Sequence, residues 1–236
     1  MEDKYLQMLE AFALAKKYLK QQMELGVDEI QLPSDLKFEY RKKSSKINLL
    51  EEFHQKIRDC QKCQLYKSRT NFVFGVGSSK AEIMFVGEAP GRDEDLQGEP
   101  FVGRAGQLLN KILAAIKFKR EEVYIANILK CRPPENRDPL PDEIEQCEPY
   151  LIEQIKLIQP KLICALGRIS AQALLKTNTP LNRLRGKFHD YQGIKFLVTY
   201  HPAALLRYPQ FKKDTWEDVQ FLRSEYDKMK KVDSRE

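Results

Sequence analysis

The chain alternates between short apolar runs and longer stretches with helical periodicity. Four apolar runs have the character of buried strands, and each is followed by a turn signal; they span residues 83–87, 123–127, 162–167 and 196–200. Amphipathic helical patterns separate these runs, at about 104–117, 142–158 and 168–176. Strands that alternate with helices predict parallel strands joined by right-handed crossovers. We therefore expect an α/β fold, a three-layer α/β/α sandwich around a central, mostly parallel, four-stranded sheet.

Two segments lie outside this alternation. Residues 188–196 have the pattern of a hairpin with its turn at a Gln-Gly pair. Near the start, apolar positions recur at helical intervals over residues 4–24, and residues 33–46 are charged and polar, including an Arg-Lys-Lys run that suits a solvated linker. The pattern predicts an N-terminal helical extension and linker over 1–46 and a main domain over 47–236.

Composition and charge narrow the class of protein only modestly. The chain has 236 residues, 42% of them hydrophobic, which is enough for one sizeable core. Its 40 Lys and Arg against 34 Asp and Glu leave a net charge of +6, which permits a polyanionic partner without requiring one. No signal-like or membrane-spanning apolar run is present in the sequence. We expect a soluble, cytoplasmic protein that does not associate with membranes.

Unusual polar residues follow the predicted strands. The segment Glu88-Ala89-Pro90-Gly91 follows the first strand, Asn127 closes the second, Gly167 follows the third and His201 follows the fourth. Each alone has an ordinary structural interpretation as a helix-end acid, a turn residue or a loop histidine. Ligands of open parallel sheets bind beyond the carboxyl ends of the strands. The shared position of these polar residues at the strand ends therefore predicts a crevice where a carboxylate, an amide and an imidazole converge.

Four sequence blocks carry a resemblance to a known family. They are G-E-A-P-G at 87–91, G-E-P-F-V-G-R-A-G at 98–106, N-I-L-K-C-R-P-P at 127–134 and H-P-A-A-L-L at 201–206. Over about 55–225 the chain resembles the uracil-DNA glycosylase superfamily, and the first block has the form seen in family 4. The resemblance implies a monofunctional repair enzyme that flips uracil out of single- or double-stranded DNA and hydrolyses its N-glycosidic bond, leaving an abasic site. It further implies a nucleoid-associated monomer.

The resemblance also implies a role for each residue of the crevice. Phe101 would stack on the flipped base, Asn127 would pair with the uracil edge, and His201 would donate a hydrogen bond to O2 as negative charge develops there. Glu88 would polarise the attacking water or stabilise the cationic sugar, and the sequence leaves both roles open. The implied uracil-binding set is Glu88, Ala89, Pro90, Glu94, Phe101, Asn127 and His201, with Glu88 and His201 catalytic.

Some of these assignments compete with simpler interpretations. Glu94 resembles the residue placed near uracil C5, where filled space would exclude thymine, but it also fits an ordinary surface acid. Leu205, Leu206 and Arg207 follow the histidine as a candidate wedge and phosphate contact with DNA. Leu206 has a core residue as its alternative.

The cysteines suggest a metal centre. Cys60 and Cys63 form a C-x2-C pair after a short helix predicted to start at Asn48, and Cys131 and Cys147 follow later in the chain. Four thiolates suit either zinc or an iron-sulfur cluster, and spacing alone does not choose between them. The resemblance implies a 4Fe-4S cluster on Cys60, Cys63, Cys131 and Cys147 that would hold the proline-rich segment after Cys131. The remaining cysteine, Cys164, lies in a strand pattern and is expected in the core.

Two other classes of protein remain as alternatives. One is a non-catalytic iron-sulfur protein that binds nucleic acid or carries electrons on the same fold. The other is a zinc-stabilised nucleotide-binding module, which metal analysis would expose. The polar residues at the strand ends favour the glycosylase over the first alternative.

Overall fold

The computed structural model describes residues 46–233. The helix expected over 4–24 and nearly all of the expected linker lie outside the described residues, so the division into 1–46 and 47–236 stays a prediction. The first described helix begins at Lys46, two residues before the start expected from Asn48.

The described residues contain six strands and eight α-helices. The strands are β1 (Val76–Gly77), β2 (Ile83–Gly87), β3 (Tyr124–Asn127), β4 (Leu162–Leu166), β5 (Phe188–Tyr191) and β6 (Ile194–Thr199). The helices are α1 (Lys46–Ile57), α2 (Arg92–Gln97), α3 (Arg104–Ala115), α4 (Pro141–Ile158), α5 (Arg168–Leu175), α6 (Leu181–Leu184), α7 (Pro202–Arg207) and α8 (Phe211–Asp233). None of these helices is long and apolar enough to cross a membrane.

The strands form one mixed, mostly parallel sheet in the order β1-β3-β2-β4-β6-β5. The four central strands are parallel and correspond to the four apolar runs, whereas β1 and β5 pair antiparallel at the two edges. The sheet therefore has six strands rather than the expected four. The hairpin of β5 and β6 turns at Gln192 and Gly193, both with positive φ, as its sequence predicted. The other edge strand, β1, is too short for periodicity to reveal.

Two hydrophobic layers cover the two faces of the sheet. Along β2, Met84 and Val86 belong to one layer while Ile83 and Phe85 belong to the other, because successive strand residues point to opposite faces. Helix α4 packs its apolar side into the first layer, and helices α3 and α8 pack into the second. This double covering explains why the central strands are continuous apolar runs.

Candidate active site

A cavity of about 530 Å³ opens at the carboxyl ends of the central strands. The parallel register aligns Gly87 with Asn127 and Leu166 with Thr199, so the segments after these strands meet at one edge. The predicted residues that line the cavity are Glu88, Ala89, Pro90, Glu94, Phe101, Asn127, His201 and Arg207. The structure thus brings all of the implied uracil-binding residues together.

Asn127 presents an unpaired polar atom to this cavity. Its side chain is 2% exposed, and its Oδ1 has no hydrogen-bond partner among the described residues. A buried acceptor without a partner costs about 1–3 kcal/mol, which a ligand that donates to it recovers. Gly87 makes this geometry accessible, because a Cβ there would overlap Asn127 Oδ1 and lie 2.6 Å from Phe101 Cζ. The amide oxygen is therefore placed for a donor on a bound molecule.

Phe101 is held in a left-handed backbone conformation beside the cavity. Its φ is 55° and its side chain is 5% exposed. The Glu94 carboxylate secures the segment that follows, because its Oε1 accepts hydrogen bonds from the amides of Val102 and Gly103, both at 2.9 Å. Glu94 is therefore more than a surface acid, since it lines the cavity and fixes the loop that carries the aromatic ring.

His201 is a neutral donor facing the Phe101 ring. It caps helix α7, and its Nδ1 accepts a hydrogen bond from the Ala203 amide at 3.2 Å, which leaves the proton on Nε2. Burial, followed by the nearby Arg207, lowers the pKa of His201 to about 4. The ring centroids of Phe101 and His201 are 5.4 Å apart. At neutral pH the Nε2–H is available to a ligand stacked beside Phe101.

Glu88 lies where β2 ends, and its carboxyl is unusually basic. Burial raises the pKa of Glu88 to about 7; the nearby Asp138 raises it further, and Arg168 acts in the opposite direction. Asp138 and Arg168 form an ion pair of 2.7 Å and both line the cavity. A carboxyl with a pKa near neutrality can exchange a proton at physiological pH.

The sequence did not reveal this ion pair. Asp138 belongs to the proline-rich segment, whose path has no periodicity to predict, so its approach to Glu88 is a purely tertiary contact. Arg168 could have been found, because it directly follows Gly167 at a strand end. Gly167 itself has a φ of 99°, and a Cβ there would lie 3.0 Å from the His201 Cβ, so this strand end approaches the histidine closely.

The two leucines after His201 differ in exposure, although both were predicted to contact DNA. Leu205 is 2% exposed because helix α7 turns it into the protein, and this burial argues against its predicted contact with DNA. Leu206 is 40% exposed, which excludes the core alternative considered for it. Arg207 is exposed and lines the cavity, as does the exposed Tyr208. Of the three predicted DNA contacts, Leu206 and Arg207 are therefore the exposed ones.

The four predicted cysteine ligands line a second, smaller cavity. Cys131 and Cys147 are buried, Cys60 and Cys63 are half-buried, and all four thiols are free. No three His, Cys, Asp or Glu side chains within residues 46–233 are grouped tightly enough to share one metal ion. All four thiols line this one cavity, and four thiolates are a ligand set that fits an iron-sulfur cluster.

The surroundings of the thiols fit a cluster as well. Tyr150 Oη donates to Cys60 Sγ at 3.1 Å, and Arg69 Nη1 donates to Cys131 Sγ at 3.3 Å. Such donors stabilise thiolate ligands. Burial raises the pKa of the Cys147 thiol to about 12, so metal binding must displace its proton. Cys164 is buried in β4, apart from the cavity, as expected of a core residue.

Comparison with known proteins defines first the class and then the family. Residues 74–220 match the uracil DNA glycosylase superfamily, so the chain is in the class of hydrolases that excise a base from DNA. The type-4 uracil-DNA glycosylases of Archaeoglobus fulgidus and Saccharolobus solfataricus are each 49% identical to this chain, over 72% and 71% of it and over 89% and 82% of their own lengths. That of Pyrobaculum aerophilum is 46% identical over 72% of this chain and 91% of its own length.

The chain belongs to the type-4 uracil-DNA glycosylase family. It removes uracil from DNA in base-excision repair by hydrolysing the N-glycosidic bond. Proteins of this family generally carry a 4Fe-4S cluster.

Proposed function

We propose that the flipped uracil lies between Phe101 and His201 with its edge against Asn127. The unpaired, buried Oδ1 of Asn127 carries this proposal. Uracil offers a donor at N3 and an acceptor at O4, which match the amide oxygen and the amide nitrogen of Asn127. Cytosine has the opposite pattern at these positions, so a fixed amide rejects it.

The cavity walls supply the affinity that base flipping requires. Unstacking and unpairing a nucleotide costs a few kcal/mol. Phe101 offers an apolar face to the base, and the Ala89-Pro90 segment forms part of the wall. Glu94 holds the Phe101 loop through its bonds to two backbone amides, and it fills space in the cavity that the methyl group of thymine would need.

Glu88 and His201 have separate roles in the reaction: Glu88 acts on the attacking water and His201 on the leaving base. The bond from C1′ to uracil N1 breaks with its electron pair on the base, and His201 Nε2–H stabilises the negative charge that develops on O2. Water adds to C1′, and the Glu88 carboxylate accepts its proton. The pKa of about 7 favours this base role over a purely electrostatic one. The departing uracil anion is then protonated by solvent.

The same cavity accounts for a monofunctional enzyme. A glycosylase that also cleaves the strand uses an amine nucleophile, and no lysine lines the cavity among the described residues. We expect uracil in single-stranded or double-stranded DNA to be the substrate of a monomer that acts on the nucleoid in the cytoplasm. The net charge of +6 supports a polyanionic partner.

A 4Fe-4S cluster on Cys60, Cys63, Cys131 and Cys147 completes the proposal. When bound, the cluster would act as a structural cross-link. It would join the segment after α1 to the proline-rich segment between Cys131 and α4. That segment carries Asp138, so the cross-link supports one rim of the active site.

Replacing Asn127 with alanine tests uracil recognition directly. The Asn127→Ala variant should excise uracil about 10-fold to 100-fold more slowly under single-turnover conditions, because the paired edge of the base is lost. Asn110→Ala is the matched control, since Asn110 is exposed on α3 and lies outside the cavity. Equal rates in Asn127→Ala and the control would disprove this recognition.

Leu206 is proposed as the wedge that fills the gap left by the flipped nucleotide. Leu206→Ala should slow excision from duplex DNA about 10-fold and leave excision from single-stranded DNA nearly unchanged, because a single strand has no stacked gap to fill. Leu205→Ala should instead destabilise the fold by about 2–4 kcal/mol and affect both substrates alike. A duplex-specific loss in Leu205→Ala alone would contradict the assignment.

A further inference from the structure

Lys130 is fully buried between the active site and the cysteine cavity. It is 0% exposed, and its Nζ donates to the backbone carbonyl of Asn127 at 3.0 Å and to Gln154 Oε1 at 2.6 Å. Its backbone amide donates to Cys147 Sγ at 3.3 Å. Lys130 thus touches both the uracil-recognition residue and a predicted cluster ligand.

The acceptor side of this contact is itself fixed. Gln154 is completely buried on α4, and its Nε2 donates to the Phe74 carbonyl at 2.9 Å and to Tyr124 Oη at 3.1 Å. Those two bonds orient the amide so that its oxygen faces Lys130. The ammonium therefore bridges two rigid acceptors, one on α4 and one at the end of β3.

Both acceptors are neutral, so the charge of Lys130 needs another partner. No ion pair to Lys130 occurs within residues 46–233. An isolated buried charge is expensive, and it persists where an opposite charge or strong hydrogen bonds compensate it. Cysteine ligands bind metal as thiolates. Lys130 directly precedes Cys131 in the chain, and its backbone amide contacts Cys147 Sγ. A loaded thiolate cluster would supply the missing negative charge.

We propose that Lys130 is a positioning residue that fixes the Asn127 peptide for uracil recognition and links it electrostatically to the cluster. The inference rests on the proposed role of Asn127. An Asn127 backbone held by Lys130 keeps its side-chain amide aimed into the cavity. Without the ammonium, the amide loses this constraint and both uracil affinity and the rejection of cytosine decline.

The test uses cluster-loaded Lys130→Met, which removes the charge and keeps most of the volume. Calorimetry should find the dissociation constant of free uracil raised roughly 10-fold to 100-fold, as for a lost buried hydrogen bond. The reduction potential of the cluster should become more negative, because a nearby positive charge has been removed. Leu151→Ala is the matched control: Leu151 is fully buried on α4 in the apolar layer and has no polar side-chain atom. The Leu151→Ala variant should lose stability but keep the wild-type dissociation constant of uracil and the wild-type reduction potential of the cluster.

A wild-type value for either quantity in Lys130→Met would overturn the proposal. Should that variant not fold, Gln154→Leu removes one acceptor and keeps the lysine. It should weaken uracil binding in the same direction, and an unchanged dissociation constant there would likewise overturn the proposal. Asn127→Ala separates the two levels of inference, because wild-type uracil binding in Asn127→Ala would refute the recognition site itself, whatever Lys130 does.

Discussion

Replacing Glu88 with glutamine is expected to lower the single-turnover rate of uracil excision by about 100-fold to 10,000-fold, the usual contribution of a general base. Glutamine keeps the size of the side chain and removes the group that accepts the water proton. Binding of uracil-containing DNA should change far less than the rate, because Glu88 is not the residue that pairs with the base. Rates measured with enzyme in excess, beside binding measured with a non-cleavable substrate analogue, separate the two effects.

The pH dependence of the wild-type excision rate should identify Glu88 as the group that accepts the proton. Since burial raises the pKa of Glu88 to about 7, the carboxylate is present above that pH and is lost as the pH falls through it. The rate should therefore decline below about pH 7. This decline forms the acidic limb of the pH profile. His201 cannot produce that limb, because its pKa of about 4 keeps it neutral near pH 7. The limb should vanish in Glu88→Gln; its persistence there would assign it to another group.

Asp138 provides a matched control for this profile. Asp138 is an exposed carboxylate on the rim that also raises the pKa of Glu88. Asp138→Asn should therefore shift the limb toward lower pH and keep a rate near that of the wild type at pH 8. A large rate loss in Asp138→Asn at pH 8 would mean that the base function was assigned to the wrong carboxylate.

The raised pKa of Glu88 also has a consequence for stability. A carboxyl whose pKa is higher in the folded state than in the unfolded state destabilises the fold at pH values where both states are ionised. Above about pH 7 that penalty is complete, and below the unfolded value near 4.5 it disappears. Glu88→Gln should consequently melt at a higher temperature than the wild type at pH 8 and at the same temperature at pH 4.

Replacing Cys131 with alanine is expected to abolish the visible absorbance of the cluster and to lower the free energy of unfolding by about 4 kcal/mol or more, as for loss of a structural metal centre. Cys131 begins the proline-rich segment and is buried against the thiol cavity. Without this ligand the rim that carries Asp138 loses its cross-link. Absorption spectra and thermal unfolding of the purified variant measure both effects.

Cys164→Ala controls for the loss of a buried cysteine as such. Cys164 is fully buried in β4 and lies outside the thiol cavity. Its replacement should cost about 1 kcal/mol and leave the colour unchanged. Wild-type colour and melting in Cys131→Ala would exclude that residue as a ligand.

The sequence predicted those parts of the site that depend on local pattern. A buried parallel strand is a continuous apolar run, so the ends of β2, β3, β4 and β6 were visible in the sequence, and parallel topology alone places the residues after them at one edge. The edge strands were harder. Strand β5 appeared only as half of a hairpin pattern, and the two residues of β1 are too few to have a period.

Tertiary contacts account for the features that the sequence could not predict. Helix α7 has six residues. Its rotation about its own axis, set by the cap at His201, decides that Leu205 faces the protein and Leu206 faces outward. Periodicity cannot fix the phase of so short a helix. The bonds from Glu94 to the amides after Phe101, and the approach of Asp138 to Glu88, join segments whose separation in the chain carries no signal.

Incubation of the purified protein with matched oligonucleotides that contain uracil, thymine or cytosine at one position tests the central claim most directly. Alkaline cleavage of the abasic sites should produce strand scission only at uracil, in single strands and in U·G and U·A duplexes. Uracil should be released intact, and no scission should occur before alkali is added. Absence of scission at uracil in the single strand, the U·G duplex and the U·A duplex would contradict the account. Equal scission at cytosine and at uracil would also contradict it.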